Sequence, residues 1–121
     1  MPYQNVSTYF DRSEFACKCG CGFDTVDVST LSILDLVRRN FGPVYINSGC
    51  RCSEHNKAVG GSPNSQHLRG RAADIRVRNA SLQEVADWVD REFPNASIGM
   101  YNTFIHIDTR TNGPARWDMR N

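Results

Sequence analysis

The sequence predicts an α+β fold: a small, mostly antiparallel sheet with helices packed on one face. Amphipathic helical patterns come in the first half and middle of the chain, whereas two strand-like runs joined by a tight turn come late. The chain has 121 residues, which is enough to bury a modest core. We therefore expect a single domain over residues 1–121.

The first half of the chain predicts two helices and a strand. Ser7 or Thr8 would cap a short helix around residues 13–15. A longer helix is predicted over 31–41, because Leu31, Leu34, Val37 and Phe41 recur at three- and four-residue steps. Its cap would be Ser29 or Thr30, and the glycine and proline at 42–43 would end it. The run at 44–47 is typical of a strand.

The second half adds two helical segments and three strands. Residues 53–59 favour one or two helical turns, and a loop rich in glycine and proline follows. Residues 72–77 alternate as a strand does. Ser81, with Glu84 three residues on, predicts a capped helix over 82–93. Strands at 97–101 and 104–108 would be joined by a turn at 102–103, and the polar tail predicts no further strand.

Composition and charge exclude several classes of protein. The net charge is +1 and charged residues make up 22% of the chain, so no nucleic-acid partner is expected. No stretch approaches the about 18 apolar residues of a membrane span, and we expect no membrane insertion. The first fifteen residues lack the basic start and apolar run of a signal peptide. Synthesis in a cytoplasm is therefore expected.

Five cysteines form two groups, CKCGC at 17–21 and CRC at 50–52. Their odd number prevents complete internal pairing, and a cytoplasmic origin disfavours disulfides. Thiolates suit zinc, but the C-x-C spacing differs from the usual C-x2-C of zinc knuckles. The sequence leaves three states open: a metal site, a disulfide and reduced thiols.

One set of residues has the chemistry of a catalytic zinc site. His67, Asp74 and His106 supply two imidazoles and a carboxylate, and such a site needs three protein ligands and an open fourth position. Gly70 would let the chain turn between the first two ligands. The competing interpretation is an ordinary hydrogen bond between histidine and aspartate, with His106 as a satisfied core residue.

Two segments carry a family resemblance. SGCRCSEHNKAVGGSPNSQHLRGRAADI and SIGMYNTFIHIDTR resemble the metal-binding segments of the zinc D-Ala-D-Ala carboxypeptidases and L-alanyl-D-glutamate peptidases, which share a fold with the Hedgehog signalling domain. SEFACKCGCGFD resembles the amino terminus of the short phage and bacterial branch. The resemblance implies that Zn²⁺ is bound by His67, Asp74 and His106.

The resemblance also implies roles for residues around the metal. Arg51 would stabilise an oxyanion or hold a substrate carboxylate, unless it is a plain surface arginine. Ser65 would bind substrate or shape its loop. His55, with Asn56, would lie at the cleft rim and bind substrate, or His55 would be an exposed helix residue.

The general base is where this chain departs from the family. Many relatives place Glu or Asp three residues before the last histidine, and Thr103 stands there. Alternation puts Asp108 on the same face as His106, which makes Asp108 the best replacement, ahead of Glu54. The alternative is that Asp108 orients His106 or Arg51.

The resemblance implies a zinc metallopeptidase that cleaves peptidoglycan stem peptides. It would be a D-Ala-D-Ala carboxypeptidase or an L-Ala-D-Glu endopeptidase, most simply a monomeric phage or prophage cell-wall hydrolase. Without a signal peptide it would reach the wall after lysis or as part of a virion. The missing family base keeps an alternative open, a non-catalytic, zinc-stabilised binding or virion module with the same fold. A thiol-based metal or redox protein built on CKCGC is a third interpretation.

Overall fold

A computed structural model describes residues 7–121. The α-helices are α1 (Val28–Phe41), α2 (Ser53–Ala58) and α3 (Leu82–Glu92), and two 3-10 helices span Arg12–Phe15 and Gln66–Arg69. The strands are β1 (Val44–Ser48), β2 (Ala72–Val77), β3 (Ser97–Met100), β4 (Ile105–Asp108) and β5 (Arg116–Asp118). The expectation of no signal peptide rests partly on residues 1–6, which lie outside the described residues. No helix within 7–121 is long and apolar enough to cross a membrane.

The five strands form one sheet in the order β1-β2-β4-β3-β5. The pairs β1–β2, β2–β4 and β3–β4 are antiparallel, which confirms a mostly antiparallel sheet. The prediction of no strand in the tail was wrong, because β5 pairs in parallel with β3 at the sheet edge. Three residues are too few to show the alternation of a strand. Residues 116–118 become a strand only because they pair with the free edge of β3.

Helices α1 and α3 cover one face of the sheet, as predicted. The core joins the apolar stripes of α1 and α3 to the side chains that β2, β3 and β4 turn toward them. Its fully buried members include Leu34, Val37, Val85, Val89, Ile75, Ile105 and Ile107. Because side chains alternate along a strand, the residues between these positions lie on the other face, where the site described below is built.

Capping agrees with the sequence prediction at one helix and differs at two. Ser81 and Glu84 form the predicted capping box of α3. Helix α1, in contrast, begins after Asp27, whose carboxylate accepts a hydrogen bond from the Ser29 amide at 3.2 Å. The predicted cap Thr30 is instead fully buried, and its hydroxyl donates to the Arg71 carbonyl at 2.9 Å.

The first 3-10 helix is likewise preceded by Asp11 and not by Ser7 or Thr8. The Asp11 amide donates to the Glu14 carboxylate at 2.8 Å. The Ser7 hydroxyl donates to Asp35 of α1 at 2.7 Å. The hydroxyls of Thr30 and Ser7, which were expected to cap a helix, therefore each donate a hydrogen bond to a residue far away in the sequence.

Candidate metal centre

His67 is positioned by a short turn that the sequence signals locally. The Ser65 hydroxyl accepts a hydrogen bond from the His67 amide at 3.2 Å and opens the 3-10 helix Gln66–Arg69. Gly70 ends it in a left-handed conformation with φ of 68°. A Cβ on Gly70 would lie 2.8 Å from the Thr25 carbonyl oxygen, so this reversal is tight as well as left-handed.

Asp74 and His106 meet because β2 and β4 pair in a particular register. The two residues are direct cross-strand partners, and this register continues across the sheet as a row. The row consists of Ser48, Asp74, His106, Gly99 and Trp117, one residue from each strand. Side chains of one row share a face, so the row forms the floor of the site opposite the helices.

Three ligand atoms converge on this floor. The Asp74 Oδ1 atom lies 3.1 Å from His67 Nε2 and 2.9 Å from His106 Nδ1. One donor atom from each of the three residues lies within 4.8 Å of the others. The side chains are buried, with His67 2%, Asp74 6% and His106 7% exposed. We call these three residues the His–Asp–His centre.

The remaining ring nitrogens fix which atom of each histidine is free to bind a metal. His67 Nδ1 lies 2.5 Å from the Gly49 carbonyl oxygen, which only accepts, so Nδ1 carries the proton and Nε2 presents a lone pair. His106 Nε2 donates to Asp108 Oδ2 at 2.7 Å and leaves Nδ1 for the centre. Such outer hydrogen bonds are typical of metal-bound histidines, so these residues fit a zinc ion.

Charge at the centre is arranged to hold a cation. Burial raises the pKa of Asp74, but its close contacts with the rings of His106 and His67 hold it well below its usual range. Burial likewise opposes ionisation of Asp108, whose pKa the hydrogen bonds from His106 and Arg110 nonetheless lower strongly. Burial lowers the pKa of His106, yet its hydrogen bonds to Asp108 and Asp74 raise it overall. Two carboxylates therefore remain anionic and favour a proton on His106 or a metal ion in its place.

Arg51 lies against the centre. Its guanidinium donates to Asp74 Oδ2 at 3.3 Å, to Asn56 Oδ1 at 3.0 Å and to Ser48 Oγ at 3.3 Å. A guanidinium has five N–H donors, so hydrogens remain that none of these three contacts uses. The Arg51 amide also donates to the His67 carbonyl at 2.9 Å, which ties this loop to the metal-binding turn.

A cleft of about 480 Å³ lies above the centre. Its polar wall comes from the loop before His67, and its aromatic wall from the residues around β4 and β5. The lining includes Ser62, Asn64, Ser65 and Gln66 on the first side, and Tyr101, Phe104 and Trp117 on the second. Tyr101 and Phe104 stack with ring centroids 4.5 Å apart. A cleft with one polar and one aromatic wall suits a ligand that carries both polar and apolar groups.

Other predicted site residues lie in different environments. Ser65 and Arg51 line the cleft, whereas His55 does not. Thr103 is exposed in the turn between β3 and β4, and Glu54 is exposed on α2. Within residues 7–121, Asp74 is the only carboxylate that lines the cleft.

Asp108 is held away from the cleft. It is 0% exposed, and both of its oxygens accept hydrogen bonds. Oδ2 accepts from His106 Nε2 and from Arg110 Nη2, each at 2.7 Å, and Oδ1 accepts from Arg110 Nε at 3.0 Å. This is the geometry expected of a residue that orients His106.

The sequence reasoning gave no site role to several residues that line the cleft. Arg110 reaches the cleft while holding Asp108, and its guanidinium carbon lies 5.4 Å from the Trp117 ring centroid. The Trp117 ring lies 5.1 Å from that of His106, and its Nε1 donates to the Tyr101 hydroxyl at 2.9 Å. Gln66 Oε1 is buried without a hydrogen-bond partner in the described part of the chain. The sequence indicated only that Trp117 is a buried aromatic of the polar tail, and pairing with Gly99 brings it to the cleft.

A comparison with known families decides the assignment. The sequence model of the family described as Peptidase M15 matches residues 8–108. The chain belongs to this family. No curated protein matched the chain in a second comparison. The M15 peptidases are zinc-dependent, and in this member the His–Asp–His centre supplies ligands of the right type and number for that ion. The small α+β fold is consistent with the family.

Proposed function

We propose that this M15 member is a zinc-dependent peptidase that cleaves peptide bonds in bacterial peptidoglycan stems. The observation that carries the proposal is the convergence of His67, Asp74 and His106 at the floor of a cleft with a polar and an aromatic wall. The bond would be D-Ala-D-Ala, cut as a carboxypeptidase, or L-Ala-D-Glu, cut as an endopeptidase. Zinc, when bound, would act there as a Lewis acid on the scissile carbonyl and on water.

Arg51 would supply positive charge to the reacting carbonyl. Its hydrogen bonds to Asp74, Asn56 and Ser48 hold the guanidinium in place, and unused N–H groups remain for an oxyanion or a terminal carboxylate. A fixed donor is worth more than a mobile one, because no reorganisation is needed when charge develops on the substrate.

A peptide backbone would satisfy the polar groups of the cleft. Gln66 lines the cleft, and its side-chain amide would offer hydrogen-bonding groups to a substrate backbone. The Tyr101 hydroxyl accepts its hydrogen bond from Trp117, so its own proton is free to be donated to a substrate carbonyl. Ser65 lies on the same wall as Gln66 and is a further candidate for substrate binding, although its hydroxyl already accepts from the His67 amide.

We assign Asp108 the role of positioning His106 and not that of general base. A base must reach the water from which it takes a proton, and both oxygens of Asp108 are already engaged within the protein. Its hydrogen bond to Nε2 keeps Nδ1 of His106 directed at the centre. Arg110 in turn keeps Asp108 anionic.

Digestion of purified peptidoglycan, followed by mass analysis of the released products, tests the proposed activity. We expect release of D-alanine or of stem peptides, loss of release with a metal chelator, and recovery on adding Zn²⁺. The two products distinguish the carboxypeptidase from the endopeptidase. The His67→Ala variant is the matched control for contaminating hydrolases. Release that is insensitive to both the chelator and this substitution contradicts the proposal.

A second candidate is a non-catalytic module that binds zinc and cell wall. Two observations favour it: Thr103 occupies the family's base position in an exposed turn, and Asp74 is the only carboxylate among the described residues lining the cleft. Sedimentation with insoluble peptidoglycan, without fragment release from zinc-loaded protein, would support the module. For either function, we propose that the protein reaches the cell wall after phage lysis or as part of a virion.

A further inference from the structure

A second set of metal-ligating side chains lies outside the cleft. Cys17, Cys19 and Cys21 come from the loop after the first 3-10 helix, and Cys52 comes from the residue before α2. Their sulfur atoms all lie within 4.8 Å of one another. We call these four residues the cysteine cluster. Nothing in the peptidase chemistry described above uses it.

Three of the six sulfur separations lie close to those of a tetrahedral metal site. Cys17 Sγ lies 3.4 Å from Cys19 Sγ and 3.8 Å from Cys52 Sγ, and Cys19 Sγ lies 3.6 Å from Cys52 Sγ. Four thiolates at the usual Zn–S distance of about 2.3 Å lie about 3.8 Å from one another. A disulfide would bring one pair to about 2.05 Å, and all five cysteines are free.

The chain path brings the three loop thiols to one point. Gly20 and Gly22 have φ of 81° and 93°, a left-handed conformation that residues with a side chain rarely adopt. The Cys17 amide donates to the Phe23 carbonyl at 2.7 Å and closes the loop, and the Gly20 amide donates to the Cys17 carbonyl at 3.2 Å. A glycine with positive φ therefore follows both Cys19 and Cys21. These two glycines let the chain turn after each thiol, so the three sulfurs converge without the usual C-x2-C spacing.

Backbone amides also point at two of the sulfurs. The Cys52 amide donates to Cys17 Sγ, and the His55 amide donates to Cys52 Sγ, each at 3.4 Å. Hydrogen bonds of this kind favour the charged thiolate, which is the form that binds metal. The fifth cysteine behaves differently, since Cys50 Sγ donates hydrogen bonds to the carbonyls of Phe15 and Phe23, at 3.2 and 3.1 Å.

We propose that Cys17, Cys19, Cys21 and Cys52 form a structural zinc site with closed, four-thiolate coordination. Cys52 directly follows Arg51, and Gly49 in the same loop accepts the hydrogen bond from His67 Nδ1. Zinc at the cysteine cluster therefore ties the amino-terminal loop to the segment that positions both Arg51 and His67. Its role is to stabilise the walls of the cleft, not to react with substrate.

Metal analysis of the reduced, purified full-length chain tests this site. We expect two zinc ions per chain in the native protein, one in Cys19→Ser/Cys21→Ser and one in His67→Ala. Both substituted cysteines are exposed, so the double variant removes no core side chain. Cys50→Ser is the matched control, because it changes a neighbouring thiol outside the cluster and should leave two zinc ions.

Cobalt substitution identifies the ligands directly. Thiolate–cobalt coordination gives a near-ultraviolet charge-transfer band that imidazole and carboxylate ligands do not give. We expect this band in the native protein and in His67→Ala, and its loss in the double cysteine variant. Two results would overturn the site: one zinc per native chain with no such band, or a disulfide within the cluster detected by mass analysis of protein purified without reductant. Because His67→Ala keeps the cysteine cluster, failure of the peptidase proposal would leave this result unchanged.

Discussion

The His–Asp–His centre and the cysteine cluster contact opposite ends of one short loop, residues 49–52, yet they are assembled differently. The centre is buried and depends on strand register, since Asp74 and His106 are cross-strand partners far apart in the sequence. The cysteine cluster draws three of its four thiols from five consecutive residues, and two of these are exposed. Two of the three ligands of the centre are thus held by the sheet itself, whereas the cluster depends on local turns and, in our proposal, on its metal.

The two sites are also suited to different roles. An open coordination position beside a cleft suits catalysis, and a closed set of four thiolates suits structure. Arg51 lies between them, flanked by Cys50 and Cys52 and bonded to Asp74. Each of the following tests perturbs one region and asks whether the other responds.

The largest effect is expected from removing a ligand of the centre. His67→Ala should reduce peptidoglycan cleavage at least about 1,000-fold, because metal assistance is worth several kcal/mol and about 1.4 kcal/mol is tenfold in rate. The thiolate–cobalt band should persist. Circular dichroism checks that the sheet remains folded. Wild-type cleavage rates in this variant would show that the centre is not catalytic.

Asp108→Asn should have a smaller effect on the same centre. Loss of the charged partner of His106 is expected to weaken zinc binding or activity about 10–100-fold, the usual cost of changing an outer hydrogen bond to a metal ligand. Zinc affinity, measured by competition with a chelator, and the pH dependence of cleavage separate two roles. A positioning residue changes affinity and leaves the shape of the pH profile. Unchanged affinity with the acidic limb of the profile abolished would instead restore Asp108 as the base, because a general base must be deprotonated to act.

Gly99→Ala adds a single methyl group to the row of paired residues that forms the floor of the site. An added Cβ would overlap the indole of Trp117, which packs beside His106. Overpacking of this kind typically costs about 1–3 kcal/mol of unfolding free energy, and cleavage should fall less than in Asp108→Asn. Chemical denaturation measures the stability change. In a Trp117→Ala background the same substitution should cost less, since the overlapping group is gone; an equal cost would argue against this packing.

The smallest effect is expected on local opening, which is measured apart from activity. Amide hydrogen exchange of the zinc-loaded and zinc-free chain should differ most in residues 17–22, whose hydrogen bonds lie in an exposed loop. The amides of β2 and β4 should stay protected in both forms, because opening there requires disruption of the core. Equal exchange of residues 17–22 with and without zinc would mean that metal does not hold this loop.

Much of the fold follows from patterns within single segments. The helical stripe of α1, the Ser81–Glu84 box of α3 and the alternation of β4 are short-range signals, and each predicted its element. The same alternation put His106 and Asp108 on one face, because the side-chain period of a strand is fixed by its backbone. Strand β5 escaped prediction, since three residues with no pattern become a strand only beside β3.

The residues around the site also include some that the sequence predicted and others that only the fold brought together. The sequence by itself determined the chemical inventory: two imidazoles and a carboxylate of the M15 type, an arginine beside them, and a thiol-rich loop punctuated by glycine. Tertiary structure decided which groups touch. It buried both oxygens of Asp108, brought Arg110, Gln66 and Trp117 to the cleft, and added Cys52 to the loop thiols. The physical reason is that residue type and periodicity are local properties, whereas contacts between distant segments depend on strand register and core packing, which involve the whole chain at once.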